Sequence, residues 1–191
     1  MIGRPDFEEL VFFQEVKTQC ISALFALEQI NQMLDELQIP REPGDTGTPN
    51  SEVFRALHSF LTHCANISRL LFPGQQKNNH AQCRGMMLCD ALDVDENSPI
   101  ADRSLRNHLE HYDERLDRWA RSASKSATVS FATDNIHPKG MGANVPPEST
   151  FRTYLTDSRE FFFVGHTYEL VPLASEVRRI LEAVQKVPGV R

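Results

Sequence analysis

What the sequence lacks argues against several classes of protein. No apolar run approaches the roughly 18 to 20 residues that a membrane-spanning helix needs. The opening residues, MIGRPDFEEL, lack the basic-then-apolar order of a secretory signal. The four cysteines include no CxxC pair, and the chain has no internal repeat. We therefore expect a soluble, cytoplasmic protein that does not associate with membranes.

Positive charge is scarce overall and unevenly placed. The chain has 20 Lys and Arg against 26 Asp and Glu, a net charge of -6. Residues 1–98 carry 7 basic and 14 acidic side chains, whereas residues 99–191 carry 13 and 12. A protein that coats nucleic acid without specificity needs a basic surface to displace counterions. The composition excludes that class and leaves room for a local basic site in the second half.

Two long helices are predicted in the first half of the chain. With 191 residues, 40% of them hydrophobic, the chain suffices for one domain, 1–191, with a proper core. Apolar residues recur every three or four positions over 13–37 and again over 54–71, the pattern of packed bundle helices. Residues 40–50, with three Pro and two Gly, form the connector. Cys20 and Cys64 fall on the apolar stripes and are predicted to be buried thiols.

Further helices are predicted from shorter patterns. An apolar patch over 86–92 predicts a short helix, although Gly85 weakens helix formation there. Ser98 and Pro99 are a typical helix start, and the helix is expected to run from Pro99 to Arg121. A closing helix opens at Pro172 and ends before the Pro188-Gly189 pair.

Residues 127–170 form a β-rich insertion. Three segments are rich in β-branched and aromatic residues, namely 127–133, 150–156 and 160–170. The Pro- and Gly-containing residues 135–149 between them are predicted to form a mobile loop. The expected fold is mainly α, a bundle of four or five helices with a small antiparallel β-hairpin or sheet inserted before the last helix.

The helix over 104–121 carries the candidate chemistry. Its buried stripe is expected to contain Tyr112 and Trp119 among its apolar residues. Arg106 lies about 100° from the centre of that stripe and His111 about 120° from it on the other side, so both are expected to face away from the core. Asn107 and His111 are four residues apart and share a face.

These side chains need an opposing surface to form a site, because one helix cannot exclude water from a substrate. A second copy across a two-fold axis would bring two arginines and two histidines into one cleft. A guanidinium fork binds phosphate and an imidazole titrates near neutral pH, so the set has the groups for metal-free phosphodiester cleavage. The predicted catalytic residues are Arg106, Asn107 and His111.

The run Arg106-Asn107-His108-Leu109-Glu110-His111 resembles the signature of the HEPN superfamily, an arginine and a histidine separated by four to six residues with a polar residue directly after the arginine. The resemblance implies a helical bundle, commonly a dimer, with metal-independent RNA endonuclease activity of toxin or phage-defence type. It also implies that His111 acts as acid or base while the RNA 2′-hydroxyl attacks the adjacent phosphate. Arg106 would hold the phosphate and Asn107 would orient the other groups. We expect Arg103 and Arg118 to bind the substrate, and no cofactor or metal.

Two alternatives from other classes remain open. One is a non-catalytic helical protein that binds RNA or a protein partner such as an antitoxin, with residues 106–111 forming a solvated face held by Arg106–Glu110 pairing. The other is a metal-binding bundle enzyme, because His108 and His111 lie beside acidic residues. Di-iron bundles, however, repeat a Glu-x-x-His pattern that is absent from this sequence, and His58 and His63 align poorly on their helix. His108 lies nearer the apolar stripe and is interpreted as a packing histidine.

Overall fold

The structure is a computed structural model that describes residues 5–37, 50–74, 79–123, 134–137, 150–163 and 166–190. Within these ranges the protein is mainly helical with a sheet inserted before the final helix, as the sequence predicts. It has six α-helices where four or five were predicted, a short 3-10 helix, and four strands in the sheet. The elements in chain order are α1 (Phe7–Leu37), α2 (Asn50–Leu71), α3 (Asn79–Leu92), the 3-10 helix (Pro99–Ala101), α4 (Ser104–Glu110), α5 (Tyr112–Ala123), β1 (Asp134–His137), β2 (Arg152–Leu155), β3 (Glu160–Phe163), β4 (His166–Glu169) and α6 (Leu170–Val184).

The core lies between α1, α2 and α6. The predicted stripe of α1 is buried at Phe13, Val16, Cys20, Ala23, Ile30 and Leu34. The central helix is α2, because it is buried on a broad face against α1, α3 and α4. Cys20 and Cys64 are buried free thiols, as predicted, and burial raises the pKa of both. The predicted connector falls largely on residues 38–49, which lie outside the described ranges.

The first helix also corrects an expectation. The stretch Phe7–Glu36 is long and apolar enough, by length and composition, to cross a membrane. The helix of a protein core passes the same test, and one face of α1 is buried against α2 and α6. The expectation that no such stretch exists was wrong. The helix has apolar residues both on its core face and on the opposite face, and together they raise its mean hydropathy.

The third helix is longer than predicted, beginning at Asn79 instead of near Met86. Gly85 lies inside it without breaking it. A Cβ atom at this position would lie 2.6 Å from Pro73 Cδ and 2.7 Å from the Leu71 carbonyl oxygen. The glycine therefore allows α3 to approach the end of α2 closely, and this packing offsets its low helix propensity.

The predicted helix from Pro99 to Arg121 is not continuous. Ser98 caps the 3-10 helix by accepting a bond from the Ile100 amide, and two separate helices, α4 and α5, follow. Between them lies His111, whose φ of -110° and ψ of 35° depart from helical values. The sequence has no proline or glycine at this break, and the helical spacing of its apolar residues continues on both sides of His111. The sequence therefore predicted one helix where there are two.

The sheet has the order β1-β2-β3-β4, with β1 parallel to β2 and the other neighbours antiparallel. Strand β1 (Asp134–His137) overlaps the first residues of the loop predicted over 135–149, so the predicted start of that loop was wrong. The purely antiparallel arrangement was wrong for the same strand. The segment predicted as one strand over 160–170 contains two strands, β3 and β4, which pair with each other. The strand predicted over 127–133 lies outside the described residues.

Aromatic packing joins the sheet to α5. Phe163 is buried on β3, and the Tyr112 ring stacks on it with centroids 5.9 Å apart. Trp119 packs on Phe151 at 5.3 Å. Phe161 is also buried on the same strand. The interpretation of Tyr112 and Trp119 as core-facing residues is confirmed, and these contacts fix the orientation of the helix that begins directly after His111.

Candidate functional site

The break between α4 and α5 leaves Asn107 and His111 on successive helical turns. The His111 amide donates to the Asn107 carbonyl at 3.1 Å, and the Arg115 amide donates to the His111 carbonyl at 3.2 Å. The helical path therefore continues through the distorted residue. Asn107 and His111 are both exposed, in agreement with the predicted orientation away from the core.

Arg106 does not follow its predicted orientation. The residue is only 9% exposed, and its Nη1 atom donates to the Phe72 carbonyl oxygen at 2.8 Å. That carbonyl lies one residue beyond the end of α2, where the helix dipole is negative and carbonyl groups lack helical partners. The expectation that Arg106 faces away from its own bundle was wrong, because its long side chain reaches an acceptor on a neighbouring helix.

Two further side chains satisfy the same helix end. Arg84 donates to the carbonyl oxygens of Leu70 at 3.3 Å and Arg69 at 3.2 Å. The Cys89 thiol donates to the Leu71 carbonyl at 3.4 Å. With Arg106 on Phe72, consecutive carbonyls from 69 to 72 each receive a side-chain donor. Arg106 is therefore part of a C-terminal cap of α2.

Glu110 pairs with Arg69 of α2, 41 positions away in the chain. Arg69 Nη2 lies 2.9 Å from Glu110 Oε1, and Arg69 Nη1 donates to the Asn66 amide oxygen at 2.8 Å. The hydrogen bond from Arg69 to Glu110 is the main reason that the pKa of Glu110 is lowered, and the charges of Arg69, Arg106 and His111 lower it further. The Arg106–Glu110 pairing considered for a solvated face is thus replaced by a contact between two helices.

Three arginine side chains lie close together around α4. Burial lowers the pKa of Arg106, and the neighbouring charges of Arg103 and Arg69 lower it further, while Glu110 raises it. Three guanidinium groups therefore interact around one carboxylate. Arg103 is exposed at the N-terminal end of α4. A bound anion would relieve the mutual repulsion of these cations.

The imidazole of His111 lies at the surface beside α5. Its side chain is 54% exposed, and Nδ1 lies 3.3 Å from Glu114 Oε1. Glu114, which lies three residues further along the chain, is therefore its neighbour on the same helix surface. Arg118 is exposed seven residues further along the chain, on α5.

His108 is a packing residue, as interpreted. It is 2% exposed, its Nδ1 is hydrogen-bonded to the Tyr168 hydroxyl, and its ring meets that of Phe163 edge-on. Burial, and then the charges of Arg115 and His166, lower its pKa to about 4. The imidazole is therefore neutral at physiological pH and holds α4 against the sheet.

A groove that sequence reasoning missed adjoins Glu110. It has a volume of about 480 Å³ between α2, the α4–α5 region and β2, and its polar lining includes His58, Thr62, Arg69, Glu110 and Arg152. The lining residues come from positions up to 94 apart, so no local pattern could have found the groove.

Aromatic contacts hold the groove's walls. The Arg152 guanidinium lies 5.4 Å from the Phe54 ring centroid and 5.6 Å from that of Phe151, and its Nη1 lies 3.4 Å from His58 Nε2. The His58 ring contacts Tyr112 edge-on at 6.1 Å. These contacts orient a second guanidinium towards the same groove as Arg69.

The histidines weighed as metal ligands have other surroundings. Within the described ranges, no group of three or more His, Cys, Asp or Glu residues is placed to hold a metal ion. His58 lies among aromatic rings, and His63 Nδ1 is 2.7 Å from the Gln19 side-chain oxygen.

A scan against protein-family models found no match to the chain, and searches of curated proteins and of solved structures found none either.

Proposed function

We propose that the protein is a metal-independent RNA endonuclease of HEPN type, in which the α4–α5 faces of two subunits enclose the scissile phosphate. The observation that carries the proposal is the joint exposure of Asn107 and His111 close to the guanidinium groups of Arg103, Arg106 and Arg69. These arginines matter because the chain as a whole is acidic, and guanidinium groups are the side chains best suited to bind a phosphate.

The proposed reaction needs two proton transfers. The His111 imidazole of one subunit accepts the proton of the RNA 2′-hydroxyl as the 2′-oxygen forms a bond to phosphorus. The bond from phosphorus to the 5′-oxygen breaks, and that oxygen receives a proton from the second His111. The products are a 2′,3′-cyclic phosphate and a 5′-hydroxyl. Exposed imidazoles from two subunits can exchange these protons only if the two faces meet.

The remaining polar groups stabilise the phosphate. The Asn107 amide can donate to a non-bridging oxygen, and Arg103 supplies a mobile positive charge. Arg106 is fixed by its bond to the Phe72 carbonyl, so in this proposal it acts mainly through its charge and through the helix that it holds. This assignment differs from the role that the motif implies for the arginine.

The groove next to Glu110 extends the proposed binding surface. Its volume is in the range of small-ligand sites and accommodates one nucleotide. Arg69 and Arg152 lie in its walls and Glu110 directly precedes His111. We assign it to the nucleotide that flanks the cleaved phosphate, with its phosphate near the guanidinium groups.

The test is cleavage of RNA in EDTA by wild-type protein and by a His111→Ala variant. We expect the rate to fall by about 10²–10⁴ when the acid–base group is lost. His80→Ala is the matched control, because His80 is also an exposed histidine that pairs with a glutamate, at 2.8 Å from Glu8. Cleavage that is equal in the two variants would contradict the assignment of His111, and cleavage lost on chelation would favour the metal enzyme.

One observation favours the second candidate, a non-catalytic RNA-binding protein. The motif arginine, Arg106, serves as a helix cap, which a protein without catalytic activity would also retain for stability. In that case pure wild-type protein binds RNA without cutting it. Arg103→Ala then weakens binding and reduces its salt dependence, while His111→Ala leaves binding unchanged. The protein-partner version of this candidate predicts no RNA binding at all.

A further inference from the structure

The first helix has an apolar stripe on the face opposite its core stripe. Phe7 is 83% exposed, Val11 50%, Ile21 48% and Phe25 64%. Gln14 and Thr18 are exposed on the same face between Val11 and Ile21. These six positions, called here the outer stripe of α1, follow one another at steps of four, three, four, three and four, which is the spacing of a coiled-coil seam.

The order of residues along the outer stripe is its own mirror image. Counting from Val16, Phe7 and Phe25 are equally distant on the two sides. The same holds for Val11 with Ile21 and for Gln14 with Thr18. An identical helix laid antiparallel across the stripe therefore places Phe against Phe, Val against Ile and amide against hydroxyl. Such self-complementarity is what a two-fold interface requires.

We propose that two copies of this chain associate through the outer stripes of their α1 helices, packed antiparallel about Val16. This inference concerns a surface on a different helix from the nuclease site and does not depend on RNA cleavage. An assembly that also joins α4–α5 faces would contain at least four subunits.

The area of the stripe is compatible with a reversible contact. The four apolar side chains expose roughly 450 Å² per subunit, or about 900 Å² for a pair, and the flanking residues add to this. That total is near the lower limit for specific interfaces, which predicts association at micromolar concentration. Burial of the large exposed phenylalanine side chains supplies most of the free energy of association.

A membrane-spanning role for α1 fits the structure less well than a second copy. The stripe occupies one face over about 27 Å, and the opposite face of the same helix is buried against α2 and α6. Exposed Glu28 and Gln32 continue the heptad beyond Phe25 and end the apolar surface. A spanning helix would need to leave the core, whereas a partner helix needs no such change.

The mass of the particle tests the contact by analytical ultracentrifugation at tens of micromolar protein. We expect Val11→Asp to lower the association constant at least 100-fold, since each variant places a charge at two points of the symmetric interface, and thus to halve the mass. Val171→Asp is the matched control, because Val171 is 56% exposed on α6, outside the stripe. Equal masses for wild type and Val11→Asp would overturn the proposal. So would a monomeric wild type, including one that binds phosphatidylcholine vesicles through the stripe.

Cross-linking tests the orientation in a Cys83→Ser background, which removes the exposed native thiol. A mixture of Phe7→Cys and Phe25→Cys proteins should form a disulfide between the two species, because these positions face each other. Phe7→Cys protein alone should form none, since its two thiols lie about 27 Å apart in the antiparallel pair. Efficient dimerisation of Phe7→Cys protein alone would indicate a parallel arrangement and contradict the proposal.

Discussion

Arg106 shows how one side chain can stabilise the fold at a position that a functional motif also occupies. Its guanidinium is nearly buried and donates to the Phe72 carbonyl at the negative end of α2. A charged donor on a carbonyl contributes about 1.5–3 kcal/mol, and its removal leaves the acceptor unsatisfied. The residue therefore affects activity measurements through stability as well as through charge.

We expect Arg106→Ala to lower the free energy of unfolding by about 2 kcal/mol in urea denaturation. Arg103→Ala is the control three residues away, and because Arg103 is exposed its effect should stay within about 0.5 kcal/mol. Equal stability of the two variants would show that the bond to Phe72 contributes little. RNA cleavage should then be compared only where both variants are folded.

Residue patterns within single helices predicted Asn107, His111 and Arg103 correctly as exposed, and His108 as packed. They could not predict the contacts of arginine. A helical wheel gives the direction of the Cβ atom, while a guanidinium lies several bonds further and binds wherever an acceptor is near. The groove between Arg69 and Arg152 was missed for a related reason, since its walls meet only after α2 and β2 have packed.

At the scale of elements, the helices predicted best were those in which regularly spaced apolar residues continue over many turns. The positions of α1, α2 and α6 follow from stripes of buried residues and from proline at or near their ends. The break at His111 could not be predicted, because the hydrogen bonds on either side preserve the period through it. Strand β1 was missed because its pairing with β2 is parallel and joins residues 18 positions apart, which no local alternation indicates.

The junction of α2 and α3 depends on Gly85, where a methyl group would meet the Pro73 ring and the Leu71 carbonyl. We expect Gly85→Ala to destabilise the protein by up to about 2 kcal/mol in thermal unfolding. Overpacking costs about 1–3 kcal/mol, and the better helix propensity of alanine recovers about 1 kcal/mol. Gly74→Ala is the control, since no atom lies within 4 Å of its added Cβ. Stabilisation by Gly85→Ala would mean that α3 does not approach α2 so closely.

At the scale of the whole molecule, the insertion and the bundle are joined through buried polar groups as well as aromatic rings. His108 of α4 bonds to Tyr168 of β4, and Arg159 donates to the Asn31 side chain of α1 at 2.5 Å. Unfolding of the sheet would expose these groups along with Phe161 and Phe163. We therefore expect the sheet and the helices to unfold together in a single transition.

This coupling makes the stability of the molecule depend on the protonation of His108. Its pKa is about 4 in the folded protein against 6.5 ordinarily, because burial and the charges of Arg115 and His166 outweigh the opposing charge of Asp102. Between these values the unfolded chain binds the proton more strongly. The contribution is therefore fully present above pH 6.5 and is lost as the pH falls towards 4.

We expect the protonation of His108 to lower the free energy of unfolding by about 2–3 kcal/mol as the pH falls from 7 to 4. Urea denaturation of wild type and His108→Gln at matched pH values measures it, since the variant should show a correspondingly flatter pH dependence even if it is less stable throughout. The lowered pKa values of Glu110 and Glu176 add a loss below about pH 4.5 that both proteins share. Parallel curves for the two proteins would show that His108 takes up a proton without cost, and hence that it is not held neutral between α4 and the sheet.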